Sequence, residues 1–302
     1  MSLPNSPISK AIKNPSDALT WMHNRILEQR IVTPLKSRYL FDHEWDLVVI
    51  LDACRYDLAA TRGASHPIGL GSPERAYSVA SNSALWVSRT FGAADPHQLA
   101  STAYITGNVF TDRLPEAPLA YLDPVWEYAW DDDRGCIPPR PLTDRAITAG
   151  RAGRAEKYIV HYMQPHLPPL FEPEYEVKRS APVEGEGAVG EKSVWDRVKE
   201  GSIEEDAVKH AYQNNLDPVL DEVSILLDNF DAAKTIITAD HGNYLGEGGR
   251  WGHPDYEWRS PVRHVPWWET TATDRRTHQP DEYETTAGSV SREEKLEALG
   301  YR

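Results

Sequence analysis

The chain has 302 residues, 40% of them hydrophobic and 26% charged, which is enough to bury a sizeable core and too apolar for a disordered tail. Thirty-two Lys and Arg against 46 Asp and Glu leave a net charge of −14, the wrong sign for a protein that grips nucleic acid through its bulk charge. Two cysteines, Cys54 and Cys136, are too few for a disulfide framework and lack the pairing and histidine spacing of a structural zinc site.

The N-terminal sequence MSLPNSPISKAIKNPSDALT has no apolar run of signal-peptide type, and no stretch approaches ~20 consecutive apolar residues. A cytoplasmic chain without a transmembrane segment is therefore expected. The acid excess, with lysine scarce beside arginine, also fits adaptation to high salt, where hydrated carboxylates keep a surface soluble. Residues 1–40 read as an N-terminal amphipathic helical segment, with Leu19, Trp21, Met22, Ile26 and Leu27 at near-helical spacing. Arg25, Arg30, Lys36 and Arg38 make too thin a basic face for a membrane-surface helix, so docking on the main body is expected.

Residues 41–302 read as a single α/β domain. The run Leu47, Val48, Val49, Ile50, Leu51 ends at Asp52 and has the continuous apolar character of a strand buried on both faces. Similar runs recur at residues 103–106, 158–160 and 235–238. Helical patterns lie between them at 84–91, 144–154 and 204–230. In the last, Tyr212, Leu216, Val219, Leu220, Val223, Leu226, Leu227 and Phe230 mark one buried face, and Pro218 kinks the helix or starts its second half. Strands alternating with helices predict a mainly parallel central sheet with helices on both faces, and ligands beyond the carboxyl ends of its strands. Residues 178–202 and 270–289 are polar and are expected to be loop excursions; residues 292–299 suit a short closing helix.

The chemistry concentrates in Asp240-His241-Gly242-Asn243, where a buried strand ends, followed by Trp251-Gly252-His253-Pro254. Adjacent strand residues face opposite sides, but Gly242 permits a tight turn that lets Asp240 and His241 converge. A carboxylate and an imidazole suit a divalent ion such as zinc or manganese. Asp52, ending the first strand as Asp240 ends a later one, is the obvious third ligand. The plainer reading is a helix-capping Asp and an ordinary surface turn.

Asp240-His241-Gly242 with Leu245-Gly246-Glu247 and Gly252-His253, together with Val49-Ile50-Leu51-Asp52-Ala53-Cys54-Arg55-Tyr56-Asp57, resembles the sulfatase-like branch of the alkaline phosphatase superfamily. Residues 161–168 are similar to that family's histidine-and-proline segment, Arg263-His264-Val265-Pro266 to the strand after the metal site, and residues 296–301 to a common ending. The motifs are individually weak and gain force from their order. The resemblance implies the alkaline phosphatase-like fold, one or two divalent metals (manganese, zinc, magnesium or calcium), and a nucleophilic Thr, Ser or modified Cys that also ligates metal. One metal is expected, because no clear second ligand set is found between Ser83 and Asp240, where Asp217 is followed four residues later by Asp221 rather than by a histidine. Its ligands would be Asp52, Ser83, Asp240 and His241.

Under that resemblance the nucleophile begins a helix some tens of residues after the first Asp. Ser83 precedes the helical pattern at 84–91, where free backbone N–H groups favour an anion; Ser81 is second choice, and Ser83 as a mere cap is the plain alternative. Cys136-Ile137-Pro138-Pro139-Arg140 matches the C-x-P-x-R motif of formylglycine sulfatases, but it lies over eighty residues beyond Asp52 and has Ala146 where that motif carries Gly. Cys54 is read as a structural thiol. His166 and His253 are placed as catalytic and substrate-binding imidazoles, Arg55 as a substrate-binding cation or a brace for Asp57, with Arg250 a further cation, and His161 as a core residue. Trp251, Trp258, Trp267 and Trp268 are expected to pack in the core instead of forming a sugar platform. The implied activity is hydrolysis or transfer of a phosphate or sulfate ester, on a small molecule or glycoconjugate. The alternatives are a formylglycine sulfatase and an inert sulfatase-like binding protein.

Overall fold

In a computed structural model of the chain, residues 15–132, 134–167, 193–285 and 290–299 are described. Nine strands are defined among them: β1 (Leu47–Leu51), β2 (Glu74–Tyr77), β3 (Thr102–Thr106), β4 (Tyr121–Asp123), β5 (Lys157–Tyr162), β6 (Ala232–Thr238), β7 (Tyr244–Leu245), β8 (Trp251–Gly252) and β9 (His264–Ala272). Seven form one sheet in the order β2-β9-β6-β1-β5-β3-β4. β6, β1, β5, β3 and β4 run parallel, and β9 alone runs against its neighbours. The predicted mainly parallel α/β sheet is therefore present.

The principal helices are α1 (Pro15–Leu27), α2 (Tyr56–Ser65), α3 (Ser83–Ala93), α4 (Pro139–Arg151), α5 (Val194–Lys199), α6 (Glu205–Asn214), α7 (Leu216–Leu227) and α8 (Arg292–Ala298). The long pattern at 204–230 breaks at Asn215, and Pro218 sits in the first turn of α7, where its missing N–H costs no hydrogen bond. All five residues of β1 are buried, as a central strand covered on both faces requires. Trp251, Trp267 and Trp268 are core residues. Gly63 in α2 exists for the last of these, since an added Cβ would stand 2.6 Å from Cζ2 of Trp268.

Three features depart from the sequence expectations. α1 turns Trp21 and Leu27 partly inward but leaves Met22 and Ile26 exposed, and the buried residues in the turns that follow it, Glu28 and Thr33, are polar. β9 runs on to Ala272, three residues into the expected excursion at 270–289. The chain beyond it is tied to α4: Arg151 donates to Asp274 at 2.8 Å, Tyr283 Oη donates to Asp144 at 2.8 Å, and His278 Nε2 lies 2.6 Å from the same carboxylate. Of the excursion at 178–202, residues 178–192 lie outside the described residues, and 194–199 form α5. No described helix is long and apolar enough to cross a membrane.

Candidate metal centre

Parallel register places the site. Leu51 pairs with Tyr162 and Ile50 with Thr238, so Asp52 and Asp240 leave adjacent strands at the same edge of the sheet. The two carboxylates and the His241 imidazole are fully buried, with one ligand atom from each lying within 4.8 Å of the others. The convergence expected of Gly242 has a different cause from the one anticipated. Its φ is not in the left-handed region; a Cβ there would stand 2.4 Å from the Pro261 carbonyl oxygen, so close approach of two backbones selects glycine. The left-handed residue is Ala53, at φ 60°, directly after Asp52.

Ser83 joins this pair from the first turn of α3. Capping falls to Asn82, whose side chain accepts from Leu85 N at 2.9 Å, and the Ser83 hydroxyl is left to the site. Its Oγ donates to Asp240 Oδ2 at 2.7 Å, lies 3.2 Å from Asp52 Oδ2, and stands 3.3 Å from His241 Nε2. Ser81, the second choice, is engaged elsewhere, accepting from Glu257 N at 3.3 Å.

Two further residues complete the cluster. Asn108, just past the end of β3, donates from Nδ2 to Asp52 Oδ2 at 3.0 Å and accepts from Phe110 N at 3.0 Å, which fixes its amide orientation. His161 on β5 was expected to be a hydrogen-bonded core residue. Its Nδ1 does meet Tyr104 Oη at 2.8 Å, but its Nε2 faces the site, 3.7 Å from both Asp52 Oδ2 and Asp240 Oδ2, without a hydrogen-bond partner. Sequence reasoning missed Asn108 outright. The rule that found Asp52, a polar residue beyond the carboxyl end of an apolar strand, applies equally to Asn108 after Thr106 and Gly107.

The donors suit a cation. His241 Nδ1 donates to the Gly242 carbonyl at 2.8 Å, which leaves Nε2 facing the carboxylates, 3.5 Å from Asp240 Oδ2 and 3.7 Å from Asp52 Oδ1. Asp52 Oδ1 is buried with no hydrogen-bond partner. Burial, then the Asp240 charge, push the Asp52 carboxyl well above its ordinary range, whereas the neighbouring imidazoles and hydrogen bonds outweigh burial and hold Asp240 below it. Burial also drives His161 down to about 4, so its imidazole is neutral near pH 7. Two carboxylates, a hydroxyl and imidazole nitrogens aimed at one buried point make a mixed O and N set that fits a divalent ion.

Beside this cluster His166 Nε2 lies 3.1 Å from His253 Nε2, and the His253 ring stacks 4.5 Å from that of His241. His166 Nδ1 lies 2.5 Å from the Leu167 carbonyl, and burial, then the His241 charge, push His166 down to about 4. Both expected imidazoles are therefore at the site, in neutral form. Arg55 is not aimed into it. Its guanidinium is held by Asp57, at 2.8 and 2.5 Å, and by Glu247 at 2.5 Å, bracing the start of α2 after β1 to the turn between β7 and β8. Arg250 likewise donates to Tyr244 and Glu257. Cys54 is fully buried. Cys136 bridges Asp131 in a separate turn, its thiol pushed up to about 12 by burial and then by Asp131, and Arg140 is paired with Glu222 at 2.8 Å.

No protein-family model and no curated protein matches the sequence. Solved structures match by shape. The integral membrane protein lipooligosaccharide phosphoethanolamine transferase A from Neisseria meningitidis aligns with a TM-score of 0.51 at 15% identity, covering 90% of this chain and 56% of that one. The soluble domain of that enzyme aligns with a TM-score of 0.46 at 15% identity, over 80% of this chain and 81% of that one. A 2-O GAG sulfatase aligns with a TM-score of 0.47 at 13% identity, over 75% and 64% of the two chains. This chain thus spans little more than half of the intact transferase. The alignment with the intact transferase shows that this chain shares its fold, built here on a mainly parallel α/β sheet with one reversed strand.

Proposed function

We propose that this protein is a metal-dependent enzyme that hydrolyses or transfers a phosphate or sulfate ester, with Ser83 as nucleophile. The observation that carries the reading is the Ser83 hydroxyl, freed from capping by Asn82 and 2.7 Å from Asp240 Oδ2. Asp52, Asp240, His241 and Ser83 Oγ would hold the ion, with His161 Nε2 facing the same point. Such an ion supplies positive charge that lowers the hydroxyl pKa and offsets charge on the ester oxygens.

The protein's own groups do the rest. Asp240 Oδ2 orients the Ser83 O–H and takes its proton as Oγ attacks. A bond forms from Oγ to phosphorus or sulfur and the bond to the ester oxygen breaks, releasing the alcohol and leaving a phospho- or sulfo-serine. Water or an acceptor alcohol then discharges it. The His166–His253 pair stands beside the cluster, with the His253 ring next to that of His241. Because Arg55 and Arg250 are committed to carboxylates, the anion would be drawn by the ion rather than by a free guanidinium. That favours a small or singly charged ester, free or on a glycoconjugate, over a polyanion.

The test uses aryl phosphate monoesters, phosphodiesters and sulfates with Mn²⁺ and with Zn²⁺. Ser83→Ala should retain bound metal and lose turnover by about 10³-fold or more, and the wild type should carry a trapped phosphoryl or sulfuryl group at Ser83 by peptide mass analysis. Cys136→Ser serves as control and should remain active. Metal-independent turnover, or a modified Cys136 with loss of activity in its serine variant, would sink the proposal.

A further inference from the structure

The N-terminal segment turns apolar side chains toward solvent. Among the described residues the exposed large hydrophobics are Met22, Ile26, Ile31, Leu35 and Leu122, with Leu35 78% exposed, so all but Leu122 belong to this segment. Their numbering steps by four, five and four. In an unbroken α-helix the step of five would swing Ile31 well off the line of Met22 and Ile26. Residues Glu28–Val32 form a π-turn, which absorbs the extra residue and lets Ile31 and Leu35 continue that line. The same turn aligns Glu28 and Thr33 on the inner side, where Thr33 Oγ1 donates to Glu28 Oε1 at 2.9 Å.

Charge sorts in the same way. Between residues 21 and 36 the exposed charged side chains are Arg25, Arg30 and Lys36, and the single acid, Glu28, is fully buried between Arg89 at 2.5 Å and Arg263 at 2.7 Å. A chain of net charge −14 therefore carries one strip that is apolar along its centre and purely cationic at its flanks. The strip also borders the site. Trp21 packs edge-on against Tyr256 with centroids 5.4 Å apart, and the adjacent Asp255 accepts from Asn82 Nδ2 at 2.7 Å, the residue that caps the helix opening at Ser83.

We propose that this N-terminal face docks in the plane of an anionic lipid surface, with Met22, Ile26, Ile31 and Leu35 at the headgroup–acyl boundary and Arg25, Arg30 and Lys36 against lipid phosphates. An apolar stripe flanked by cations is the pattern such surfaces recognise. A second copy fits less well, because it would set like charges against each other and four side chains fall short of the roughly 800 Å² each partner gives a stable protein interface. The basic face is thin, as its sequence indicates, but residues 21–36 themselves carry no exposed acid and the large apolar side chains of Met22, Ile26, Ile31 and Leu35 point outward. Docking would bring the loop at 253–258, which is tied through Asp255 to the Asn82 beside Ser83, to the lipid surface; the bearing of this placement on headgroup esters alone rests on the ester chemistry proposed above.

The test is co-sedimentation of the full chain with phosphatidylcholine vesicles, with and without phosphatidylglycerol. Binding should require phosphatidylglycerol, fall with added salt, and weaken about fivefold for each of Arg30→Gln and Lys36→Gln. Ile26→Asp combined with Leu35→Asp should weaken it about tenfold or more, while the melting temperature holds because both residues are exposed. No binding, equal binding to both vesicle types, or a dimer in solution that the Ile26/Leu35 double variant dissociates would overturn the proposal. Turnover of a soluble aryl ester is read in parallel, so that loss of the ester chemistry with vesicle binding intact is distinguished from loss of docking.

Discussion

Asp52→Asn separates the charge of the candidate metal centre from its shape. The Asp52 and Asp240 carboxylates offer ligand atoms within 4.8 Å of each other in a fully buried site. At an effective dielectric near 20, two unit charges at that separation repel by about 3 kcal/mol. Burial and Asp240 hold the Asp52 carboxyl well above its usual range, so in the absence of a cation a proton at Asp52 relieves the repulsion. Asparagine copies that neutral form and keeps an oxygen for Asn108. The metal-free variant is therefore expected to stay within about 1 kcal/mol of the parent, a shift in melting temperature of about 2 °C or less.

Adding metal should part the two proteins. At a free concentration 100 times its dissociation constant, an ion that binds only the folded chain stabilises it by about 2.7 kcal/mol, or roughly 5 °C in a protein of this size. The parent should show that rise and Asp52→Asn should show little of it, whereas Ser83→Ala should keep most. Scanning calorimetry after chelator dialysis, followed by titration with Mn²⁺ and Zn²⁺, reads all three. A full metal-linked rise in Asp52→Asn, or a metal-free Asp52→Asn far less stable than the parent, would show that the two strand-end carboxylates do not share an ion.

Asn108→Ala removes the donor that orients Asp52 Oδ2 and should weaken metal binding about 10- to 100-fold in competition with a chromogenic chelator, leaving the fold intact. Glu28→Gln leaves Arg263 fully buried without its counter-charge, which should destabilise the chain by about 3 kcal/mol and release the N-terminal segment to protease before the body is cut. The Glu28 carboxyl, pushed up by burial, is held below its ordinary 4.5 by hydrogen bonds and charge from Arg89 and charge from Arg263. Its folded value lies below its unfolded one, so its contribution is present at neutral pH and is lost as pH falls through the folded value. Urea melts of parent and Glu28→Gln should therefore converge toward acid pH.

Asp52, Asp240 and His241 were legible because each follows a run of apolar residues that can only be a central strand, and parallel strands deliver their exits to one edge. The helix beginning at Ser83 was legible too, but not which residue caps it: Asn82 and Ser83 are both good caps, and only the backbone decides that Asn82 serves. His161 misled because an imidazole inside an apolar strand reads as a packed core residue, and its ring does make a core hydrogen bond on one side. Which way the other nitrogen points depends on the register between β1 and β5, a long-range property. Of the two roles open to Arg55, the brace for Asp57 was legible from local spacing, whereas its second partner, Glu247, lies across the sheet edge and cannot be assigned that way. In the N-terminal segment the apolar pattern was legible and its direction was not, since a buried Glu28 between two arginines from elsewhere in the chain overrides the hydrophobic face.

The backbone at Ala53 shows how the fold secures the exit from β1. An alanine at φ 60° carries roughly 1–2 kcal/mol of strain, and nothing in its side chain, which is fully buried, offsets it. What holds it is hydrogen bonding on both sides of the residue: Ala53 N donates to Asp240 Oδ1 at 2.9 Å, and Tyr212 Oη donates to the Ala53 carbonyl at 2.5 Å while accepting from Arg55 N at 3.1 Å. Each such bond in a buried setting contributes about 1 kcal/mol, and the one to a carboxylate more, so together they outweigh the strain. The same turn places Asp52 beside Asp240 and aims the Arg55 side chain at Glu247. Asp240 thus acts at two levels: one oxygen fixes the strained turn that positions the other strand-end carboxylate, and the second oxygen receives the Ser83 hydroxyl. A substitution at Asp240 therefore removes more than a single ligand, which is why Asp52, engaged through fewer backbone contacts, is the cleaner place to test for a shared ion.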